Sequence, residues 1–238
     1  MLVAAISKGG LGGGGLTVMA VPLMALTLPP PQAAAIMLPL LCAMDVMTIW
    51  VYRRHWDPRN MRIIVPAAIV GILIGTASFK YLDASWIRLL LGLIAVAFPL
   101  YYWFAKLGQA APKGVDAVKG GFWGAVAGFT SFVAHAGGPP LGVYLLPQRM
   151  EKRLFAGTCA IFYGAINVVK LFPYAWLGQF HTTNLWTSLV LLPAVPVGIV
   201  AGVWLQKRID DKTFYNVCYG FLLLTGVKLL WDAAKGLL

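Results

Sequence analysis

Gly9-Gly10-Leu11-Gly12-Gly13-Gly14-Gly15 interrupts an apolar stretch that runs from Leu2 to Leu28. A run this rich in glycine does not continue a regular helix, because glycine loses the most backbone freedom on folding and packs no side chain. A second apolar stretch, Val118 to Leu146, carries a weaker version of the same interruption at Ala134-His135-Ala136-Gly137-Gly138-Pro139-Pro140. There proline removes a backbone donor and crowds the preceding turn. Each stretch therefore reads as two pieces joined by a bend. In hydrocarbon every backbone N–H and C=O must be bonded internally, so irregular backbone survives only where it is buried in protein or lines a polar cavity. Broken segments at corresponding places in two halves point to a binding site.

The rest of the chain places these breaks in a membrane. The sequence is 60% hydrophobic and 11% charged, with a mean hydropathy of +0.78, outside the balance of a soluble domain. At about 20 apolar residues per span, the clear spans are Gln32–Tyr52, Ile63–Leu82, Trp86–Phe104, Leu154–Phe172, Leu185–Leu205 and Thr213–Trp231. Pro29-Pro30-Pro31 and Tyr174–Asn184 read as breaks. The net charge of +11 does not indicate nucleic acid, since Lys and Arg sit mostly in short connections between apolar runs, as orientation signals do. No stretch has the polar flank and small-residue cleavage site of a removable signal, so the chain is expected to stay in the membrane. Cys42, Cys159 and Cys218 lie in apolar segments without CxxC spacing and read as small core residues, not as a disulfide framework or metal site. Gly10-x-Gly12-x-x-Gly15 matches the dinucleotide fingerprint only formally, lacking the strand and downstream acid that give it meaning. No cofactor or metal is expected.

The two halves are related. A shift of 127 residues aligns Pro66 with Pro193, Ala67 with Ala194, Gly71 with Gly198, Gly75 with Gly202, Lys80 with Lys207 and Asp83 with Asp210. Charge placement then sets their relative orientation. The connection Arg53 to Arg62 is strongly basic, whereas its counterpart Tyr174 to Asn184 has no Lys or Arg. Under the positive-inside rule equivalent loops thus lie on opposite faces. Basic residues at Lys106 to Lys119, Gln148 to Arg153 and Gln206 to Lys212 fit the same scheme, while Lys228 and Lys235 run against it. The expected architecture is an all-α polytopic membrane protein with an inverted repeat. Residues 1–110 and 111–238 each hold a broken or re-entrant glycine-rich element plus three spanning helices. Gly71-xxx-Gly75 and Gly198-xxx-Gly202 read as close helix contacts.

Several residues are placed where they could handle an anion. Lys8 adjoins the glycine run, where free backbone N–H groups favour negative charge; the alternative is a lysine that snorkels to the interface. Gly13, Gly14 and Gly15 allow close backbone approach to a ligand, with Thr17 adding a hydroxyl, although tight helix packing would also use them. Asp45 occupies the middle of a span, where an ionisable group is costly and hence a functional candidate, either for proton coupling or as partner to Lys170 or Lys8. Asn167 holds nearly the equivalent place in the second half, and Lys170 follows it on the same helix face, to bind substrate or to snorkel near Pro173. His135 sits at the second break with Gly137 and Gly138, either to hydrogen-bond or titrate, or as a structural residue of the bend. Tyr163 and Thr158 are further lining candidates. His55 and His181 fall in loops and read as solvated, and Trp50, Trp56, Trp176 and Trp186 fit interfacial belts.

The ordered segments Ser7–Gly15, Ala20-Val21-Pro22-Leu23-Met24 and Gln32–Pro39, followed by Asp45 and Tyr52-Arg53-Arg54, resemble the TauE/SafE family of membrane transporters. The resemblance extends over nearly the whole chain, with a degenerate second copy around Gly137-Gly138 and Phe155 to Lys170. It implies passive or proton-coupled movement, usually export, of sulfite, sulfonates or related small organic anions, in a bacterial inner membrane. Family members carry more apolar residues before the lysine–glycine motif. Here Met1 to Ile6 are too few to span, so the first element is expected to be a short re-entrant piece or the start to be internal. An enzyme is not expected: there is no Gly-x-Ser-x-Gly elbow, His-Glu-x-x-His pair or Walker loop. An anion channel could use the same broken elements, and a non-transporting assembly protein would explain apolar helices but not the twinned breaks. The expected partners are a small anionic substrate and the lipid bilayer.

Overall fold

A computed structural model describes residues 4–6, 8, 20–81, 83–104, 114–206 and 211–237. The glycine run at 9–15 and Thr17 lie outside the described residues, so the first expected break is not among the features below. The described chain is helical throughout, with no strand. The helices are α1 (Ala20–Met24), α2 (Pro30–Tyr52), α3 (Pro58–Ser78), α4 (Ala84–Phe104), α5 (Ala117–Ala134), α6 (Gly138–Leu145), α7 (Lys152–Trp176), α8 (Thr182–Leu191), α9 (Ala194–Gln206) and α10 (Asp211–Leu237). Among the described residues α2, α3 and the Arg153–Trp176 portion of α7 are long and apolar enough to cross a bilayer. The α8–α9 pair makes a fourth candidate span, and α4 supplies the apolar helix Ser85–Tyr101.

Helix starts follow the sequence closely. Pro30 and Pro31 open α2, where a missing N–H costs nothing. Asp57 caps α3 by accepting from the Arg59 N–H at 2.8 Å, and Asp116 caps α5 by accepting from the Lys119 N–H at 3.0 Å. The second expected break is present. Helix α5 stops at Ala134, His135 takes a left-handed conformation with φ 51°, and α6 starts at Gly138 with proline in its first turn. At 8 residues, α6 is about 12 Å long, too short to cross alone.

One expected span is corrected. Leu185–Leu205 is not continuous but bends by 44° between α8 and α9. Pro193 lies in the gap, where it has no N–H to offer the Leu189 carbonyl and its ring crowds that turn. Tighter bonds from Leu192 N to Leu189 O and from Val195 N to Leu192 O bridge the bend.

The surface is inside-out relative to a soluble protein. Val46, Trp50 and Val51 on α2, Val70, Leu73 and Ile74 on α3, and Val168 and Phe172 on α7 face outward, whereas Asp45, Asn167 and Lys170 are buried. A lipid-facing shell around a polar interior produces this pattern. Small residues set the close contacts, as lipid offers no hydrophobic drive to bring helices together. A Cβ on Gly71 would lie 1.9 Å from the Ala125 carbonyl oxygen, and one on Gly128 2.0 Å from that of Ala68, so α3 and α5 meet backbone to backbone. Other extensive contacts join α4 to α10 and α2 to α7, while α3 packs on α7 and α8 on α2. Cys159 is buried in this core and Cys42 is partly buried.

Candidate functional site

The polar interior is assembled by α2, α5 and α7 with Lys8. Pro39 leaves α2 short of one backbone hydrogen bond in its preceding turn. In a bilayer such a turn is re-satisfied by neighbours. Two carbonyls of this turn take side-chain donors: Ala34 O lies 2.8 Å from His135 Nε2, and Ile36 O accepts from Ser188 Oγ at 2.8 Å. These contacts flank the Ala35 carbonyl that Pro39 leaves without its helical donor, and they tie the α5–α6 break and helix α8 to α2.

Six residues beyond Pro39 on α2, Asp45 receives two donors on its two oxygens. Lys8 Nζ forms a buried ion pair with Oδ1, and Asn167 Nδ2 donates to Oδ2 at 2.6 Å. Lys8 also reaches the Leu41 carbonyl oxygen at 3.4 Å. Of the two partners left open by the sequence, the carboxylate takes Lys8 and not Lys170. Both residues of this pair are buried, so Lys8 does not snorkel.

Lys170 occupies a separate pocket of acceptors. Its ammonium donates to Ser131 O at 3.0 Å, to Ser131 Oγ at 2.9 Å and to His135 Nδ1 at 2.8 Å. Three donors meet three acceptors, the full capacity of the group. The ring tautomer follows: a carbonyl only accepts, so His135 Nε2 carries the hydrogen toward Ala34 and Nδ1 presents a lone pair to Lys170. Lys170 has 0% exposure, so it does not snorkel either, despite its closeness to Pro173. It makes no ion pair among the described residues. The interior therefore holds a neutralised pair and one cation whose partners are all neutral.

The left-handed turn at His135 makes this possible. His135 N–H closes the helix on Ser131 O at 3.0 Å, and Ala136 N–H reaches Thr130 O at 3.2 Å. The turn directs the ring across to α2 while the Ser131 carbonyl still has a lone pair for Lys170. Tyr174, one turn beyond Lys170, stacks on His135 and donates its hydroxyl to Phe132 O at 2.6 Å. A left-handed non-glycine residue costs about 1 kcal/mol or more and persists where its surroundings hold it.

Of the residues singled out from the sequence, Lys8, Asp45 and Asn167 form one cluster and His135 and Lys170 the other. Gly137 and Gly138 are buried at the break, and a Cβ on Gly137 would press on Ala127 O at 2.9 Å and Ser131 Cβ at 3.0 Å, so close packing already requires glycine there. Gly13, Gly14, Gly15 and Thr17 lie outside the described residues. Thr158 serves the α2–α3 loop, accepting from Asp57 N–H at 2.9 Å. His181 is exposed as expected, but His55 is only partly so, with Nδ1 buried against the same loop. Ser131 and Tyr174 escaped the sequence reading. A hydroxyl four residues before the break and a tyrosine one turn after Lys170 were the available signals, and neither stands out in an apolar helix.

Two amide clamps lie elsewhere. Asn60, the third residue of α3, exchanges hydrogen bonds with Gln148 at 2.8 and 3.2 Å, and Asn184, the third residue of α8, accepts from Gln32 at 3.3 Å.

The family model described as Sulfite exporter TauE/SafE matches residues 1–229. No curated protein and no solved structure gave a match.

Proposed function

The chain belongs to the sulfite exporter TauE/SafE family of membrane transporters, and on that premise we propose that it carries a small sulfur oxyanion, sulfite or an organosulfonate, outward across a bacterial inner membrane. The observation that carries this reading is Lys170, a fully buried cation with three neutral acceptors and no carboxylate partner among the described residues. An unpaired charge in low dielectric is costly, and a transported anion supplies the missing counter-charge. Lys8, whose charge Asp45 neutralises, stands beside it. In the proposed site Lys8, Asn167, Lys170 and His135 hold the anion, together with backbone donors of Gly13, Gly14, Gly15, Gly137 and Gly138 and the Thr17 hydroxyl. Asp45 takes up a proton when Lys8 turns toward substrate, coupling transport to the proton gradient.

Alternating access comes from two inverted repeats, residues 1–110 and 111–238, moving about this centre. The pairing of helices supports the symmetry: α2 meets its counterpart α7, α4 meets α10, and the α3–α7 contact is mirrored by α8–α2.

The test is flux into proteoliposomes with sulfite, sulfonates and carboxylates. Saturable flux of the sulfur anions, lost in Lys170→Met, is the expected result. Flux that never saturates favours a channel, and absence of flux for the whole panel overturns the proposal.

A further inference from the structure

Tyr163 lies four residues before Asn167 and seven before Lys170, on the same stripe of α7. It is 8% exposed, and its hydroxyl is buried without a hydrogen-bond partner. Buried hydroxyls are almost always bonded, and one stranded among apolar groups is penalised relative to phenylalanine of the same shape. Among the described residues two other buried polar atoms share this condition, His55 Nδ1 at the α2–α3 loop and Tyr144 Oη beside a crevice lined by Asp116, Lys119 and Trp123. Tyr163 differs in sharing its helix face with the two ionic clusters, within electrostatic range of Asp45.

The nearby carboxylate takes one donor on each oxygen, Lys8 on Oδ1 and Asn167 on Oδ2, and makes no hydrogen bond to the phenol. Ser131 and His135 are likewise committed to Lys170. Among the described residues no acceptor bonds the phenol, which is left with a donor for something that arrives.

We propose that Tyr163 is a specificity-determining residue: its hydroxyl donates to an oxygen of the bound oxyanion, so that substrate rather than protein completes its hydrogen bonding. The inference rests on the transport reading above. It adds a neutral, directional donor beside the cations. A cation attracts any anion, whereas an O–H group rewards an acceptor oxygen at a fixed place and discriminates against a halide.

The experiment compares the wild-type full chain with Tyr163→Phe in two measurements. The first is the thermal unfolding midpoint without substrate. An unchanged or higher midpoint is expected, since the ring is kept and an unbonded hydroxyl is removed; a lower midpoint shows a structural hydroxyl and overturns the inference. The second is flux against sulfite concentration. The half-saturating concentration is expected to rise ten- to a hundredfold, the loss of one hydrogen bond to a charged acceptor, with maximal flux within about twofold. Unchanged half-saturation also overturns it. Wild-type protein that moves no anion defeats the transport reading instead, and the midpoint comparison then still decides the role of the hydroxyl.

Discussion

Asp45→Asn perturbs the interior with almost no change of shape. In the native protein one carboxylate oxygen faces the Lys8 ammonium and the other accepts from Asn167 Nδ2 at 2.6 Å. An asparagine amide offers one acceptor and two donors. If its oxygen faces Lys8, its NH2 group confronts the NH2 of Asn167; if it turns over, it confronts the ammonium. Turning over the Asn167 amide relieves the first clash, but in every arrangement Lys8 loses its counter-charge at a buried site. Breaking a buried ion pair from one side costs about 3–5 kcal/mol, a large part of a total stability of roughly 5–15 kcal/mol. The double variant Lys8→Met/Asp45→Leu removes both charges and is expected to recover most of that loss, since apolar replacement of a whole buried pair is often neutral or better. It should not recover transport. The assay is unfolding of purified protein in detergent for wild type, Lys8→Met, Asp45→Leu and the double variant, the four corners of the cycle, and for Asp45→Asn beside them, with sulfite flux measured in parallel. An Asp45→Asn protein within about 1 kcal/mol of wild type, or a double variant less stable than the single, refutes the assignment of Lys8 and Asp45 as a tightly coupled buried pair.

Gly71→Ala forces a methyl to within 1.9 Å of the Ala125 carbonyl oxygen, so α3 and α5 must separate, at a cost of about 1–3 kcal/mol or more. Gly142→Ala is the control, as its nearest neighbour is Leu146 Cδ1 at 3.5 Å; a melting comparison in which both behave alike contradicts the backbone contact. For the inverted repeat, single cysteines at the exposed Arg54 and His181, in a background without native cysteines, should label from opposite sides of the membrane with an impermeant maleimide. Labelling from one side rejects the opposed orientation of the halves.

The position of the α5–α6 break was legible because Gly137-Gly138-Pro139-Pro140 carries its own backbone chemistry, independent of what surrounds it. Pro193 held a similar signal, yet Pro39, Pro66, Pro99 and Pro173 all sit inside continuous helices. A proline permits a bend, and the packing of neighbours decides whether the helix takes it.

The candidate site divides the same way. A carboxylate, an amide and an ammonium in apolar helices announce themselves one by one, because hydrocarbon makes each of them costly. Their partners do not. The pairing of Asp45 with Lys8 and Asn167, and of Lys170 with Ser131 and His135, joins residues from 35 up to 122 positions apart. Which groups meet depends on the rotation of each helix about its axis. In a soluble helix an apolar stripe reveals that rotation, but α2, α7 and their neighbours are apolar on nearly every side, so periodicity says little. The sequence by itself determined a membrane-embedded helical protein, a broken element and a short roster of buried polar groups. Only tertiary structure decided that Lys8 neutralises Asp45 while Lys170 keeps a charge with no carboxylate among the described residues, because glycine contacts such as Gly71 on Ala125 set how the helices turn toward one another.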